Sequence, residues 1–218
     1  MNYNEYITSY IDKYPLGEPI YIEEIKENVL KLNEDTQENQ YKVSRNINVI
    51  VNRLIKRGNI KKFYKGIYYK PKKNIFGEVY LDSDVLIEQK YLKDKHENIK
   101  GYIYGAKLYN LLGLTTQVPN GLQIVTNECK NNNKYTNTNL NVTIKKPKIK
   151  ITNDNYRYLQ LLDILENKDN VNIEVENKGK VILNYIQEQK LDYLKILGYI
   201  KATNNNEAMK NLMDLIEV

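Results

Sequence analysis

The sequence lacks several residues and segments that whole classes of protein require. Among its 218 residues there is one cysteine, Cys129, one histidine, His96, and no tryptophan. A single cysteine excludes an internal disulfide, and the lone histidine has no second histidine or cysteine at the spacing of a metal site. The first ten residues lack the layout of a signal peptide, and no apolar run is long enough to span a bilayer. We therefore expect a cytoplasmic protein of bacterial type.

Signatures of common catalytic sites are also missing. The chain has no Gly-rich phosphate loop and no GxSxG motif, and Cys129 lacks a histidine nearby to activate its thiol. One enzyme alternative is a Mg²⁺-dependent nuclease that uses Asp163 or Asp169 with Glu176 and Lys178, because such enzymes gather carboxylates for the metal and a lysine for the phosphate. The Glu-Asn-Lys triplet occurs twice in this Asn- and Lys-rich chain, however. We predict no catalytic residue, no metal and no cofactor.

Positive charge is concentrated in one segment of the chain. The hydrophobic content of 41% suffices for a core and for one or two domains. Residues 1–41 carry a net charge of −6, residues 42–73 carry +11 with no acidic residue, and residues 74–218 carry +1. Three of the four arginines lie in the basic segment, although AT-rich codon usage favours lysine. This distribution is typical of a polyanion-binding protein, since arginine binds phosphate and guanine with two donors at once.

Apolar periodicity predicts three helices in the first part of the chain. The first covers residues 3–14, the second follows a β-like run at residues 20–22, and the polar stretch NEDTQENQ forms a loop. The third runs from about residue 39 to residue 57, with Gly58 at its C′ position. The apolar side of the second helix consists of Ile22, Ile25, Val29 and Leu32.

Projection at 100° per residue separates the third helix into two faces. The apolar face consists of Val43, Ile47, Ile50, Val51 and Leu54. The opposite face is polar and cationic, and it consists of Lys42, Arg45, Asn46, Arg53, Lys56 and Arg57, with Asn48, Val49 and Asn52 also pointing outward. After Gly58, the segment NIKKFYKGIYYKP predicts a hairpin that turns at Tyr64-Lys65-Gly66 and ends at Pro71. Three helices followed by a hairpin predict an N-terminal winged helix-turn-helix, with a domain boundary near residue 75.

A winged helix-turn-helix binds DNA with one helix in the major groove and a basic hairpin on the phosphates. Arg45 is our candidate for a base edge, and Val49 is placed to contact a thymine methyl group. The predicted DNA-binding residues are Lys42, Arg45, Asn48, Val49, Asn52, Arg53, Lys56, Arg57, Lys61, Lys62 and Lys65. The alternative is an ordinary solvated helix face with an edge hairpin. Tyr64, Tyr68 and Tyr69 also suit stacking on single-stranded RNA, but in a chain with 20 tyrosines we interpret them as packing residues.

Residues 76–218 predict a mixed α/β domain, which makes the whole chain an α+β protein. An Asn-rich loop spans residues 127–139, and the last part of the chain is helical. Thr115, Thr116 and Gln117 lie in a distinctive loop, where they either bind a ligand or fix a helix-to-strand turn. The predicted helices are 84–94, 105–112, 154–166, 180–188, 190–198 and 206–216, and the predicted strands are 98–104, 121–126, 140–146 and 148–151.

The segments RLIKRGNIKKFYKGIYYKPKKNIFGE and GYIYGAKLYNLLGLTTQVPNGLQIVTN resemble the AbiEi-type antitoxins of bacterial abortive-infection systems. The first is similar to the helix-to-wing segment of that family, and the second is similar to its A-x-x-x-N-x-L-G-L-T-T-Q-V-P signature. The resemblance covers roughly residues 40–127.

The resemblance implies a transcriptional regulator that acts in phage defence as the antitoxin of a type IV toxin–antitoxin system. Such a regulator would bind inverted repeats in double-stranded DNA upstream of its own operon and repress it. Its functional partner would be a nucleotidyltransferase-like toxin, and direct contact with that toxin stays open. The alternatives are the nuclease described above and a protein-interaction module.

Overall fold

The computed structural model describes residues 3–31, 37–94, 96–169 and 173–216. The chain forms two compact units, Met1–Leu86 and Ile87–Val218, and both contain helices and strands. The predicted α+β class is therefore confirmed. The division between the units lies beyond the predicted boundary near residue 75, because the chain around that residue folds as a hairpin of the first unit. None of the helices in the described residues combines the length and the apolar character that a membrane span requires.

In the first unit, helices precede a hairpin whose strands join an earlier strand in one sheet. The central strand of this antiparallel sheet is β3 (Ile67–Tyr69), which pairs with β1 (Pro19–Tyr21) on one side and with β2 (Lys61–Tyr64) on the other. The Lys65-Gly66 turn joins β2 and β3, and Gly66 has a φ of +81°, a value that glycine adopts without strain. The elements are α1 (Tyr3–Asp12), β1 (Pro19–Tyr21), α2 (Ile22–Lys31), α3 (Gln37–Lys56), β2 (Lys61–Tyr64) and β3 (Ile67–Tyr69).

The core of the first unit is formed by Ile20 of β1, by Ile60 just before β2 and by branched aliphatic side chains of the three helices. The helical members recur at spacings of three and four residues, so each helix turns one continuous stripe toward the others. Each fully buried side chain of this size stabilises the fold by about 1.5–3 kcal/mol. The buried core residues are Ile7, Ile11, Ile20, Ile25, Val29, Val43, Ile47, Ile50, Val51, Leu54 and Ile60.

The loop predicted over residues 33–40 is wrong in its second half, because α3 begins at Gln37. Glutamine and glutamate are good helix formers, so a polar stretch of this composition continues the helix in front of its first apolar residue. Residues 32–36 lie outside the described residues, and so does Leu32 as a predicted member of the apolar side of the second helix. The C-terminal end agrees with the prediction, since Gly58 has a φ of +76° directly after the last turn.

A second hairpin follows the first one and was not predicted. Its strands are β4 (Lys72–Asn74) and β5 (Gly77–Val79), with Ile75 and Phe76 in the turn between them. Pro, Lys and Gly in this stretch are typical of a linker, and that composition concealed the strand pairing. Gly77 has a φ of +115°, a conformation that side chains with a Cβ rarely adopt, so the turn depends on glycine there.

The second unit packs helices against a four-stranded mixed sheet. The strands are β6 (Gly101–Tyr104), β7 (Leu122–Thr126), β8 (Tyr135–Asn137) and β9 (Val142–Lys145). Their order in the sheet is β6–β7–β9–β8, with β7 and β9 parallel and the other two pairings antiparallel. The helices are α4 (Ser83–Ile87), which begins in the first unit and continues as a π-helical turn (Glu88–Leu92), then α5 (Ala106–Leu111), α6 (Tyr156–Glu166), α7 (Lys178–Glu188), α8 (Tyr193–Ala202) and α9 (Asn206–Ile216).

Helix α6 is central to the second unit and is buried nearly all round. Its residues Tyr158–Leu165 are all buried, and α8, α9 and β6 pack against it. Tyr158, Leu161, Leu162 and Leu165, which the sequence placed on one apolar face, all belong to this buried set. The predicted helix over residues 154–166 is thus confirmed.

Two strand predictions in the second unit are wrong. Residues 148–151 form no strand, because the backbone N–H and C=O of Ile151 bond to the side chain of Asn127 instead of to a neighbouring strand. Strand β8 was missed, because it lies inside the Asn-rich stretch that predicted a loop. Its Tyr135 and Thr136 are good strand formers, and the hydroxyl oxygens of Thr136 and Thr143 lie 3.1 Å apart across the β8–β9 pair.

Candidate nucleic-acid interface

The buried face of α3 fixes the orientation of the helix within the first unit. Val43, Ile47, Ile50, Val51 and Leu54 are each at most 5% exposed. They belong to the same core cluster as the apolar stripes of α1 and α2. The predicted apolar face is therefore confirmed, and the opposite side of α3 is held toward solvent.

That opposite side carries the predicted cations. Arg45, Arg53, Lys56 and Arg57 are all exposed, as is Lys42. Within the described part of the chain, no salt bridge engages Arg45, Arg53, Lys56 or Arg57. Residues 42–57 also contain no acidic side chain. Like charges held this close repel one another, and an approaching polyanion relieves the repulsion, so the face favours phosphate.

Uncharged side chains on the outer half of α3 lie among these cations. Asn48, Val49 and Asn52 are all exposed, as predicted. An asparagine can exchange two hydrogen bonds with adenine, and a valine can contact a thymine methyl group. The exposed side of α3 therefore combines charge for phosphates with groups suited to base edges.

The first hairpin adds further positive charge. Lys62 and Lys65 are exposed, and neither forms a salt bridge to any described residue. The pairing register sets Lys62 opposite Tyr68, and Lys65 lies in the turn next to Gly66. Both lysines are thus available to an anion.

Lys61 differs from the other predicted lysines because it is already occupied. Its ammonium group donates a hydrogen bond to the carboxylate of Glu78 on β5. This bond raises the pKa of Lys61. The contact ties the second hairpin to the edge strand β2, so Lys61 holds the two hairpins together.

The tyrosines of the first hairpin pack within the first unit. Tyr69 is buried, and Tyr68 is half-buried against the core of α1–α3. Tyr64 is also half-buried. This agrees with the packing interpretation of these rings.

The Thr115–Gln117 loop of the second unit is held by internal hydrogen bonds. The side-chain amide of Asn110 donates to the carbonyl oxygens of Thr115 and Gln117. Glu174 accepts hydrogen bonds from Gln117 Nε2 at 2.8 Å and from Thr116 Oγ1 at 3.0 Å. The bond from Gln117, and then those from Thr116, lower the pKa of Glu174. The sequence suggested that this loop either binds a ligand or fixes a helix-to-strand turn, and these hydrogen bonds show the second role.

Asp163, a carboxylate of the nuclease alternative, is buried in a polar network. Its Oδ2 accepts a hydrogen bond from the Tyr102 hydroxyl at 2.7 Å, and its Oδ1 accepts one from Lys145 Nζ at 2.9 Å. Lys145 Nζ also lies 4.8 Å from the ring centroid of Tyr104, and the network borders a cavity of about 40 Å³. Each oxygen of Asp163 thus has a donor from its own chain.

The charges of this network depend on one another. Burial lowers the pKa of Lys145, but the charge and hydrogen bond of Asp163, together with nearby Tyr104 and Glu166, raise that pKa above its ordinary value. Burial, and then Asp163, raise the pKa of Tyr102 well above its ordinary value. Both pKa values are higher in the folded state than in the unfolded chain, where they lie near 10. The contribution of this network to the stability of the fold is therefore complete below about pH 10 and is lost as the pH rises further.

The other residues considered for chemistry are scattered. Asp169 forms a salt bridge with Lys178, and His96 is exposed. Cys129 is buried, with Sγ 3.3 Å from the carbonyl oxygen of Asn131. Within the described ranges, no three His, Cys, Asp or Glu residues come together in a group that could hold a metal ion.

Sequence reasoning missed two highly exposed apolar residues of the first unit. Ile75 and Phe76 are 92% and 91% exposed at the tip of the second hairpin. The Asn-Ile-Phe-Gly spacing is a turn signal that could have identified this hairpin, since Asn and Gly flank a two-residue turn.

Comparison with known proteins places the chain in one family. The model of a family of unknown function, DUF6088, matches residues 21–191, and the chain belongs to this family. No curated protein matches the sequence. The matched range covers most of the first unit and much of the second.

Proposed function

We propose that this DUF6088 chain is a sequence-specific transcriptional regulator that binds double-stranded DNA, and that its first unit is a winged helix-turn-helix. The observation that carries the proposal is the division of α3 into a buried apolar face and an exposed cationic face. A helix that enters the major groove needs both faces, one to pack on its own domain and one to meet DNA.

The order of elements supports the winged-helix assignment. Helix α1, strand β1, helices α2 and α3, and the β2–β3 hairpin follow one another, and β1 joins the hairpin in one sheet. In this arrangement α3 is the recognition helix and the hairpin is the wing. The 20 residues of α3 make a rod about 30 Å long, which is enough to lie along the groove.

The exposed residues divide into two roles. Arg45 is the principal base reader, and Asn48, Val49 and Asn52 complete the surface that faces the bases. Cations at both ends of this surface contact phosphates and set the register on the duplex. These phosphate-binding residues are Lys42, Arg53, Lys56, Arg57, Lys62 and Lys65. Lys61 moves to a supporting role, because it holds Glu78.

The antitoxin assignment rests on the AbiEi-like segments rather than on geometry. Under this proposal the chain represses its own operon in a type IV toxin–antitoxin system, and its functional partner is a nucleotidyltransferase-like toxin. The LGLTTQVP segment contains the buried Leu114 and Thr115 and is held by Asn110 and Glu174. The segment that carries the resemblance therefore helps to shape the second unit.

We predict that the chain binds a duplex from upstream of its own reading frame more tightly than a shuffled duplex. Because each neutralised phosphate releases a counterion, log K should fall linearly with log salt, with a slope of about −5 if six cations engage. Fluorescence anisotropy across a salt series measures both quantities. Equal affinity for the two duplexes at every salt concentration would contradict sequence specificity.

Arg45 and Lys65 should affect binding differently. Arg45→Ala should relax sequence preference and cost about 1–3 kcal/mol on the preferred duplex, because alanine cannot donate hydrogen bonds to a base edge. Lys65→Ala should weaken the preferred and shuffled duplexes alike, because phosphates carry no sequence information. Anisotropy on both duplexes compares the two variants. If neither variant changes binding, the assigned surface is wrong.

A further inference from the structure

The second hairpin exposes two large apolar side chains side by side at its tip. Ile75 and Phe76 are each more than 90% exposed, and Tyr80, just beyond β5, is 72% exposed. Removal of apolar side chains of this size from water is favourable. A partner that covers the tip therefore binds more tightly, because these side chains leave water.

The tip is built as a fixed projection. Asn74 Oδ1 accepts a hydrogen bond from the backbone N–H of Phe76 at 2.9 Å, and Asn74 pairs with Gly77 across the hairpin. Strands of three residues carry the turn about 10 Å beyond the base of the hairpin. This reach exceeds the depth of the DNA minor groove, about 7.5 Å.

The charges around the tip indicate what the partner is. Lys72 and Lys73 are exposed on β4, and neither forms a salt bridge with a described residue. The acidic side chain of the hairpin, Glu78, is neutralised by Lys61 on the neighbouring hairpin. An apolar tip beside two available cations matches a polyanion with an apolar interior, which is the description of stacked base pairs between phosphate backbones.

We propose that Ile75 and Phe76 form a wedge that inserts between adjacent base pairs of duplex DNA, while Lys72 and Lys73 hold the flanking phosphates. This inference rests on the proposed DNA-binding function and adds that the bound duplex is unstacked and unwound. Apolar side chains inserted from the minor groove kink DNA in this way, and the larger protein surface that the bent duplex covers offsets the cost of unstacking. The hairpin is linked through Glu78 to Lys61 on β2 of the proposed wing, so it lies next to that wing.

Unwinding of closed circular plasmid tests the wedge without knowledge of the operator. Topoisomerase I relaxes the plasmid in the presence of a saturating concentration of the protein. The salt concentration is low, so that binding needs no specific sequence, and the protein is removed before electrophoresis. Wild type should leave negatively supercoiled topoisomers on the gel. The variant Ile75→Ser/Phe76→Ser should still retard the plasmid and leave the topoisomer distribution of protein-free DNA. A matched control, Leu194→Ser, removes an exposed apolar side chain from the second unit and should behave as wild type.

The outcomes separate the wedge from the function on which it rests. If wild type retards the plasmid but leaves its linking number unchanged, the wedge is wrong and DNA binding stands. If wild type does not retard the plasmid, both proposals fail. Sedimentation tests the other occupant of the tip. The wedge is overturned if the double variant unwinds DNA like wild type and sediments as a monomer whereas wild type self-associates. In that case the tip contacts a second copy of the chain.

Discussion

Simultaneous replacement of Arg45, Arg53 and Arg57 by alanine should lower the affinity for duplex DNA on the order of 100-fold near physiological salt. Arg45 and Arg53 are exposed on one side of α3, Arg57 is exposed directly after its last turn, and none of the three forms a salt bridge to a described residue. Removal of each cation that neutralises a phosphate should also reduce the salt slope by about 0.9. Titrations of the wild type and the triple variant across a salt series give both numbers.

A charge-matched control distinguishes a local surface from general positive charge. Lys180, Lys195 and Lys201 are exposed in the second unit, so their replacement by alanine removes the same net charge elsewhere. The control variant should bind DNA with nearly the wild-type slope. Equal losses of DNA affinity in the two triple variants would mean that net charge, and not the face of α3, drives binding.

Asp163→Ala should lower the free energy of unfolding by about 3 kcal/mol. The substitution leaves the Tyr102 hydroxyl and the Lys145 ammonium group without their shared acceptor. Tyr102 is buried and loses its partner completely, whereas Lys145 is partly exposed and recovers some hydration. Urea unfolding followed by circular dichroism measures the difference.

Asp169→Ala is the matched control for this substitution. Its carboxylate pairs with Lys178 at an exposed position, where an ion pair contributes at most about 1 kcal/mol. The structural role of Asp163 would be refuted if the two variants unfolded at the same urea concentration. The comparison also bears on the nuclease alternative, which requires Mg²⁺-dependent cutting by wild type that disappears in a folded Asp163 variant.

The periodicity of apolar residues was sufficient to predict the helices, because buried positions recur at a fixed spacing along each of them. Val43, Ile47, Ile50 and Leu54 follow the 3.6-residue repeat, so one projection separates the core from the solvent side of α3. The Tyr64-Lys65-Gly66 turn was predictable for a similar local reason, since Gly66 allows the positive φ that the hairpin needs. Features of this kind depend on neighbours in sequence.

Contacts between distant residues were not predictable in the same way. The Lys61–Glu78 pair, the donors to Asp163 and the bonds of Asn127 to Ile151 join residues 17 or more positions apart. No local rule distinguishes these side chains from the many other Lys, Asp and Asn residues of the chain. For this reason the sequence predicts neither the contact of Lys61 with Glu78 nor the donors of Asp163, and it predicts a strand at residues 148–151 that the structure does not have.

The placement of Arg53 and Lys56 in the last turn of α3 affects how variants of this helix should be interpreted. Carbonyl groups at a helix C-terminus carry partial negative charge, and a nearby cation stabilises the helix by about 0.3–1 kcal/mol without any ligand. These two side chains therefore have a reason to be basic that is independent of DNA. Arg45 lies near the middle of the helix, where the macrodipole offers a charge no such benefit, so its guanidinium group is the more diagnostic sign of a nucleic-acid partner.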